Sequence, residues 1–332
     1  MLPKNTVRFP GIDPLAWEHP ADRAALSALR QVRGLDELVG TFISLTTERS
    51  MQLMHYASSV KVGPTQFPRV NSLVDDLVET FDWGYRPTVF VTQSPFFNAH
   101  VFGAKEPFIV LNSSLVRGFD ISELKVVIAH EFGHLMSGHA LYKTLAWLLA
   151  NASLGVIPLG EVLVNALQAA LAEWDRKSEL SADRVGLLAS QAQEPSFAVL
   201  MRMAGGEDLA EVNLNDFFAQ AREFEEKKSL LDGLHKMLNQ AWMSHPYPVV
   251  RLQELKAWSL SGGYTGILSG TYPKRGEPRP DLGAEAQDAF NYYRKAVDGA
   301  EDPISKLASG IGDGIEKAVG ELGDRLRNLL KP

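Results

Sequence analysis

The chain has 332 residues, 45% hydrophobic and 22% charged, a balance that excludes a disordered chain and suits a folded globular protein. Its net charge of −7 offers no basic footprint, which excludes the usual electrostatic recognition of nucleic acid. With no cysteine it can hold neither a disulfide framework nor a thiolate metal site, and the composition suits a reducing compartment.

The N-terminal stretch MLPKNTVRFPGIDPLAWEHP contains prolines and acids but no apolar core, so it does not read as a secretory signal. A cytoplasmic location is expected, with the membrane surface as the alternative. Next, HPADRAALSALRQVRGLDELVGTFISL carries Leu26, Leu29, Val32 and Leu35 at helical spacing, weakened in the middle by Gly34. NSLVDDLVETF is a second helical run. The pattern then changes. RPTVFVTQ, NAHVFG and PFIVLNSS are short, rich in Val and Phe, and separated by Pro, Asn and Gly, which predicts a small mixed or antiparallel sheet over 87–113.

From Asp120 to about Asn151 the chain reads as helix, and Asp120 with Glu123 resembles a capping box. The apolar stretch 145–172 is broken by Gly155, Pro158 and Gly160, and it carries Asn151, Glu161, Asn165 and Gln168. Each arm is too short for the ~20 apolar residues of a membrane span, so two helices joined by a turn are expected. A second long helix should run from about Gly160 to Gln191, with further helix over 207–243. SHPYPVV, 244–250, reads as a loop leading into the helical RLQELKAW, and 261–284 as a linker or surface loop. In the tail, Ile304, Leu307, Ile311, Ile315, Val319, Leu322 and Leu326 form one apolar stripe. Gly310, Gly312, Gly314, Gly320 and Gly323 interrupt it, each at a cost of about 1 kcal/mol of helix propensity. Such a helix needs a partner, and we expect peripheral membrane contact or self-association through residues 304–330.

The chemistry centres on VVIAHEFGHLMSGH, 126–139. A helix turns about 100° per residue, so His130 and His134 project from nearly the same face and offer two nitrogens to a zinc ion. Glu131 points to the side of that pair, where it can take a proton from water rather than ligate. His139 lies about 180° round the helix from His130, and Leu141, Leu145, Leu148 and Leu149 continue the helical pattern past Gly138. His139 is therefore expected to face away and pack. In KSELSADR, 177–184, Glu179 and Asp183 form a second i, i+4 pair. Glu179 is expected as the third metal ligand and Asp183 as the acceptor for the free N–H of a ligating histidine.

HEFGH, followed after a long helix by ELSAD, resembles the M48 metallopeptidases, the gluzincin group that includes the CAAX prenyl protease and HtpX-type proteases. The resemblance runs from about Pro20 to Trp258 and takes in NAHVFGAKEPFIVLNSSLV and SHPYPVVR. It implies that His130, His134 and Glu179 bind one Zn2+ per chain and that Glu131 is the general base. Asn98 and Ala99 match the Asn-Ala of the family's substrate-binding edge strand, and His245 matches its His-Pro motif. An edge strand can pair with an extended peptide through main-chain hydrogen bonds. His245 would be either an oxyanion stabiliser or a fourth zinc ligand. Arg251, at the start of the next helix, is expected to brace this loop rather than take part in chemistry.

The expectation is an α+β, mainly helical, zincin-like fold with a small sheet beside the HExxH helix. Residues 1–275 would form the metallopeptidase domain, and 276–332 a linker and amphipathic helical tail. The function expected is zinc-dependent endopeptidase cleavage of protein or peptide substrates, with misfolded proteins implied by the resemblance. The alternative is a zinc-stabilised binding or chaperone-like module without turnover.

Overall fold

The structure is a computed structural model and describes residues 6–30, 35, 48–151, 161–227 and 247–278. Helices α1 (Pro20–Arg30), α2 (Glu48–Ser58) and α3 (Pro68–Thr80) precede most of the sheet. Strands β1 (Val60–Lys61), β2 (Val89–Thr92), β3 (Ala99–Phe102) and β4 (Phe108–Asn112) form one sheet in the order β1-β2-β4-β3. β2 and β4 run parallel and the outer pairs antiparallel, so the sheet is mixed and β3 is one of its edges. Then follow α4 (Ser113–Gly118), α5 (Ile121–Met136), α6 (Ala140–Asn151), α7 (Glu161–Ser190), α8 (Gln193–Gly205), α9 (Leu214–Lys227), α10 (Pro248–Ser259) and α11 (Gly262–Leu268). The α+β, mainly helical architecture is the one expected, and three of the four strands coincide with the segments read as strands.

β2, β3 and β4 are buried on both faces, successive side chains entering different clusters. Val89, Val91, Ala99, Val101, Ile109 and Leu111 join the main core against α5, while Phe90, Phe102, Phe108 and Val110 form a separate cluster on the opposite face with Met51 of α2. A third cluster joins Ala25, Leu26 and Leu29 of α1 to Tyr142 and Leu145 of α6 and to Leu167, Leu171 and Trp174 of α7. α7 is the spine. At 30 residues it is about 45 Å long, and α1, α5, α6, α8 and α10 all pack along it.

α5 starts with the expected capping box. Asp120 Oδ1 accepts from Ser122 N and Glu123 N at 2.7 and 2.9 Å, and Glu123 Oε2 accepts from Asp120 N at 3.0 Å. The helix is buried all round, so its charged residues are paired: Lys125 with Asp76 at 2.7 Å and Glu123 with Arg202 at 3.0 Å.

The long helix expected through Gly138 is instead two helices. Gly138 has φ +72°, Gly138 N donates to Leu135 O, and His139 N donates to His134 O. That pair of bonds is a Schellman motif, which ends α5 and turns the chain before α6. The segment 261–284 also departs from expectation, since 262–268 form α11 with Ser261 Oγ capping Tyr264 N. No helix among the described residues is long and apolar enough to cross a membrane. His245, the joint at 152–160 between the two arms of 145–172, and residues 279–332 of the expected linker and tail lie outside the described residues.

Two glycines set how closely α5 and α7 approach. A Cβ on Gly133 would lie 2.9 Å from both Cβ and Cγ2 of Val185 and 3.3 Å from Ala182 Cα, and one on Gly186 would lie 3.1 Å from Val126 Cγ1. Val185 is β-branched and its Cβ cannot swing away, so the helices themselves would have to part. Gly133→Ala should therefore destabilise the protein: overpacking costs about 1–3 kcal/mol, against about 1 kcal/mol of helix propensity gained. Urea unfolding should show a lower midpoint with an unchanged slope; an equal or higher midpoint would mean that the contact is not tight.

Candidate metal centre

α5 and α7 face each other with His130 and His134 on one helix and Glu179 and Asp183 on the other. His130 Nε2 is 3.3 Å from Glu179 Oε2, and His134 Nε2 is 3.1 Å from Glu179 Oε1. One donor atom from each of His130, His134 and Glu179 lies within 4.8 Å of the others, and His134 and Glu179 are fully buried. Two imidazoles and a carboxylate converging away from water form a donor set that a metal ion fits. The local reason is the shared period of the two helices: each contributes an i, i+4 pair, and the glycine contacts bring the pairs together.

Each ligand candidate is held from behind. Asp183 Oδ1 accepts from His130 Nδ1 at 3.0 Å, which turns Nε2 toward Glu179. Arg251, on α10, donates through Nε to Asp183 Oδ2 at 2.8 Å and through Nη2 to Oδ1 at 2.6 Å. Its Nη1 lies 3.0 Å from Glu179 Oε2, while Lys143 Nζ lies 2.9 Å from Glu179 Oε1 and 2.6 Å from Asp175 Oδ1. Glu179 thus has a cation on each oxygen. The loop that Arg251 was expected to brace lies largely outside the described residues; the side chain itself ends among the buried carboxylates of Glu179 and Asp183.

The electrostatics follow from burial. Burial lowers the pKa of His130, but the carboxylates of Glu179 and Asp183 outweigh it and push the imidazole up to about 9. His134 is held well below the ordinary imidazole value by burial, then by the Lys143 ammonium. Burial raises the pKa of Asp183, and Arg251 more than offsets this to hold it below the usual carboxylate value. Lys143 stays charged because Asp175 and Glu179 outweigh its own burial.

His139 does not face away. The Schellman turn brings its Nδ1 to 3.0 Å from His134 Nδ1, and its Nε2 lies 3.1 Å from Asp22 Oδ2 of α1. The reading of His139 as a packing residue on the far side assumed a continuous helix. Gly138 at the end of the apolar period was the signal that could have shown otherwise. Asp22 carried no sequence signal at all.

Beside the cluster lies an open pocket lined by Asn98, Ala99, His130, Glu131, Asp183 and Arg251, with Leu115, Val127, Val199, Leu200 and Met203 among its apolar walls. Of the residues singled out in the sequence, the structure brings together His130, Glu131, His134, Glu179, Asp183, Arg251, Asn98 and Ala99. Removing the Arg251 charge would leave the buried carboxylates uncompensated. Arg251→Met is expected to cost about 3–5 kcal/mol in unfolding free energy, measured by urea titration of the metal-free chain. A loss below about 1 kcal/mol, the range of an exposed pair, would show that the ion pairs contribute little.

Comparison with known proteins agrees with this geometry. The family model for peptidase family M48 matches residues 64–259. The plastoglobule-localized metallopeptidase 48, chloroplastic, of Arabidopsis thaliana is 32% identical over 265 residues, covering 78% of this chain and 77% of that protein. Protease HtpX homologs of Helicobacter acinonychis (strain Sheeba) and Helicobacter pylori (strain Shi470) are each 29% identical over 96 residues, 28% of this chain and 31% of theirs. Since the match to 64–259 spans more than half of the chain and takes in His130, His134 and Glu179, the chain belongs to peptidase family M48 and is a metalloprotease.

Proposed function

We propose that the chain is a zinc-dependent endopeptidase that hydrolyses protein or peptide substrates, with one Zn2+ held by His130 Nε2, His134 Nε2 and the Glu179 carboxylate. The observation that carries this reading is the buried cluster of three donors, one of which, His130, lines the same pocket as Glu131 and the sheet-edge residues Asn98 and Ala99. Nitrogen and oxygen donors without thiolate suit zinc, and three protein ligands leave a coordination position for chemistry. The excess of carboxylate over cation around the cluster also favours a divalent ion.

Zinc, when bound, supplies Lewis acidity, polarising a carbonyl and making water a stronger acid. The chain's own residues do the rest. Glu131 accepts a proton from the attacking water on its carboxylate and delivers it to the amine nitrogen as the C–N bond breaks. Asp183 and Arg251 hold His130 in the tautomer that presents Nε2. An extended peptide adds alongside β3 by main-chain hydrogen bonds, and the apolar walls of the cavity exclude water and take an apolar side chain. His245, which lies outside the described residues, stays in this proposal as an oxyanion stabiliser or a fourth zinc ligand. A cytoplasmic setting, at the membrane surface or free of it, is in keeping with the cysteine-free composition.

Cleavage of an unfolded protein by the zinc-loaded chain tests the reading. Glu131→Gln should keep one zinc per chain and lose about 10²–10⁴-fold in kcat/KM, the contribution of a positioned acid–base group. Equal cleavage by both would remove Glu131 from the mechanism, and cleavage by neither would leave the site a binding module. Zinc should also stabilise the fold, by about 2.7 kcal/mol at a free concentration 100 times Kd. The melting temperature should then fall when a chelator is added and recover with zinc; no shift would argue against the ligand set.

A further inference from the structure

A line of close polar contacts behind His134 leads out of the metal cluster and ends on α1. His134 Nδ1 lies 3.0 Å from His139 Nδ1, and His139 Nε2 lies 3.1 Å from Asp22 Oδ2. Asp22 also accepts from Trp174 Nε1 on Oδ1 at 3.0 Å and from the Ser181 hydroxyl on Oδ2 at 2.6 Å. All five side chains are buried. Asp22 lies upstream of the segment that matches the family, so this carboxylate reaches the site from outside the matched region.

These contacts dictate where the protons sit. An ionised carboxylate only accepts, so His139 carries its hydrogen on Nε2, facing Asp22. A neutral imidazole has one N–H, which makes His139 Nδ1 an acceptor. The Nδ1 of His134 that faces it is then the donor, and the lone pair of His134 Nε2 is left on the side of Glu179. Trp174 Nε1 and the Ser181 hydroxyl both donate to Asp22, as an ionised carboxylate requires.

We infer that Asp22, acting through His139, is a positioning residue that fixes the tautomer of His134 and keeps its Nε2 lone pair directed at the metal. The inference rests on the zinc reading of the preceding subsection. It assigns His139 and Asp22 a role parallel to that of Asp183 behind His130, so that each imidazole ligand has its own buried acceptor chain. The helix break at Gly138 is what makes the second chain reachable, since a continuous helix would carry His139 to the opposite side.

Asp22→Asn tests this with little change in shape. The Trp174 N–H needs an acceptor, which holds the amide oxygen on its side and turns the amide N–H₂ toward His139. Two donors then face each other unless His139 moves its proton to Nδ1, and that in turn forces His134 into the tautomer that cannot ligate through Nε2. Zinc affinity, measured by competition with a chromophoric chelator, should weaken about 10–100-fold while far-ultraviolet circular dichroism stays that of the wild type. Unchanged affinity in a folded variant would overturn the inference. Should the variant not fold, long-range proton–nitrogen correlation on the zinc-loaded wild type labelled at histidine decides the matter. His139 protonated on Nε2 and His134 on Nδ1 are expected, and His139 protonated on Nδ1 would overturn the inference. A wild-type chain that binds no zinc would instead sink the metal reading beneath it, a result distinct from either of these.

Discussion

The close approach of α5 and α7 at Gly133 and Gly186 is the constraint on which the rest of the site depends. With no side chain at either position, the backbone of one helix meets the side chains of the other within van der Waals distance. Only at that spacing can His130 and His134 reach Glu179 with interatomic distances near 3 Å. The i, i+4 pairs fix which residues share a face, but the interhelical distance fixes whether the two faces can hold one ion. Packing density and ligand geometry are here the same fact.

Bringing these groups together takes several charges out of water, and an unpaired buried charge costs several kcal/mol. The protein meets this by surrounding each carboxylate with donors. Arg251 holds Asp183 through two hydrogen bonds, Lys143 and Arg251 take one oxygen each of Glu179, and Trp174 and Ser181 serve Asp22. The donors come from α6, α7 and α10, so the site adds polar ties to helices that already pack along α7. This arrangement orients the imidazoles without covering the cavity where Glu131, Asn98 and Ala99 meet.

The edge strand lies beside the same centre. β3 packs against both α5 and α6, and its first residue, Ala99, lines the cavity beside His130 and Glu131. The parallel pairing of β2 with β4 keeps β4 inside the sheet and leaves β3 at its border. A small mixed sheet of this order therefore places one edge beside His130 and Glu131.

Much of this was legible in the chain. The capping box at Asp120, the three short Val- and Phe-rich strands, the two helices and the pairs His130/His134 and Glu179/Asp183 are all local patterns, set by residues a few positions apart. Other features were not. β1 is two residues long and gains its identity from pairing with β2; Arg251 lies 68 residues from the aspartate it holds, and Asp22 more than 100 from His139. The direction of His139 was misjudged, though not its packing, because one glycine decides whether a helix continues and an apolar period alone cannot weigh that choice. The sequence by itself determined the chemistry available, since helical and strand periodicity are properties of neighbouring residues. Only the tertiary structure decided how that chemistry is assembled, because the distance between α5 and α7, the partners of each buried charge and the position of β3 are set by contacts between segments far apart in the chain.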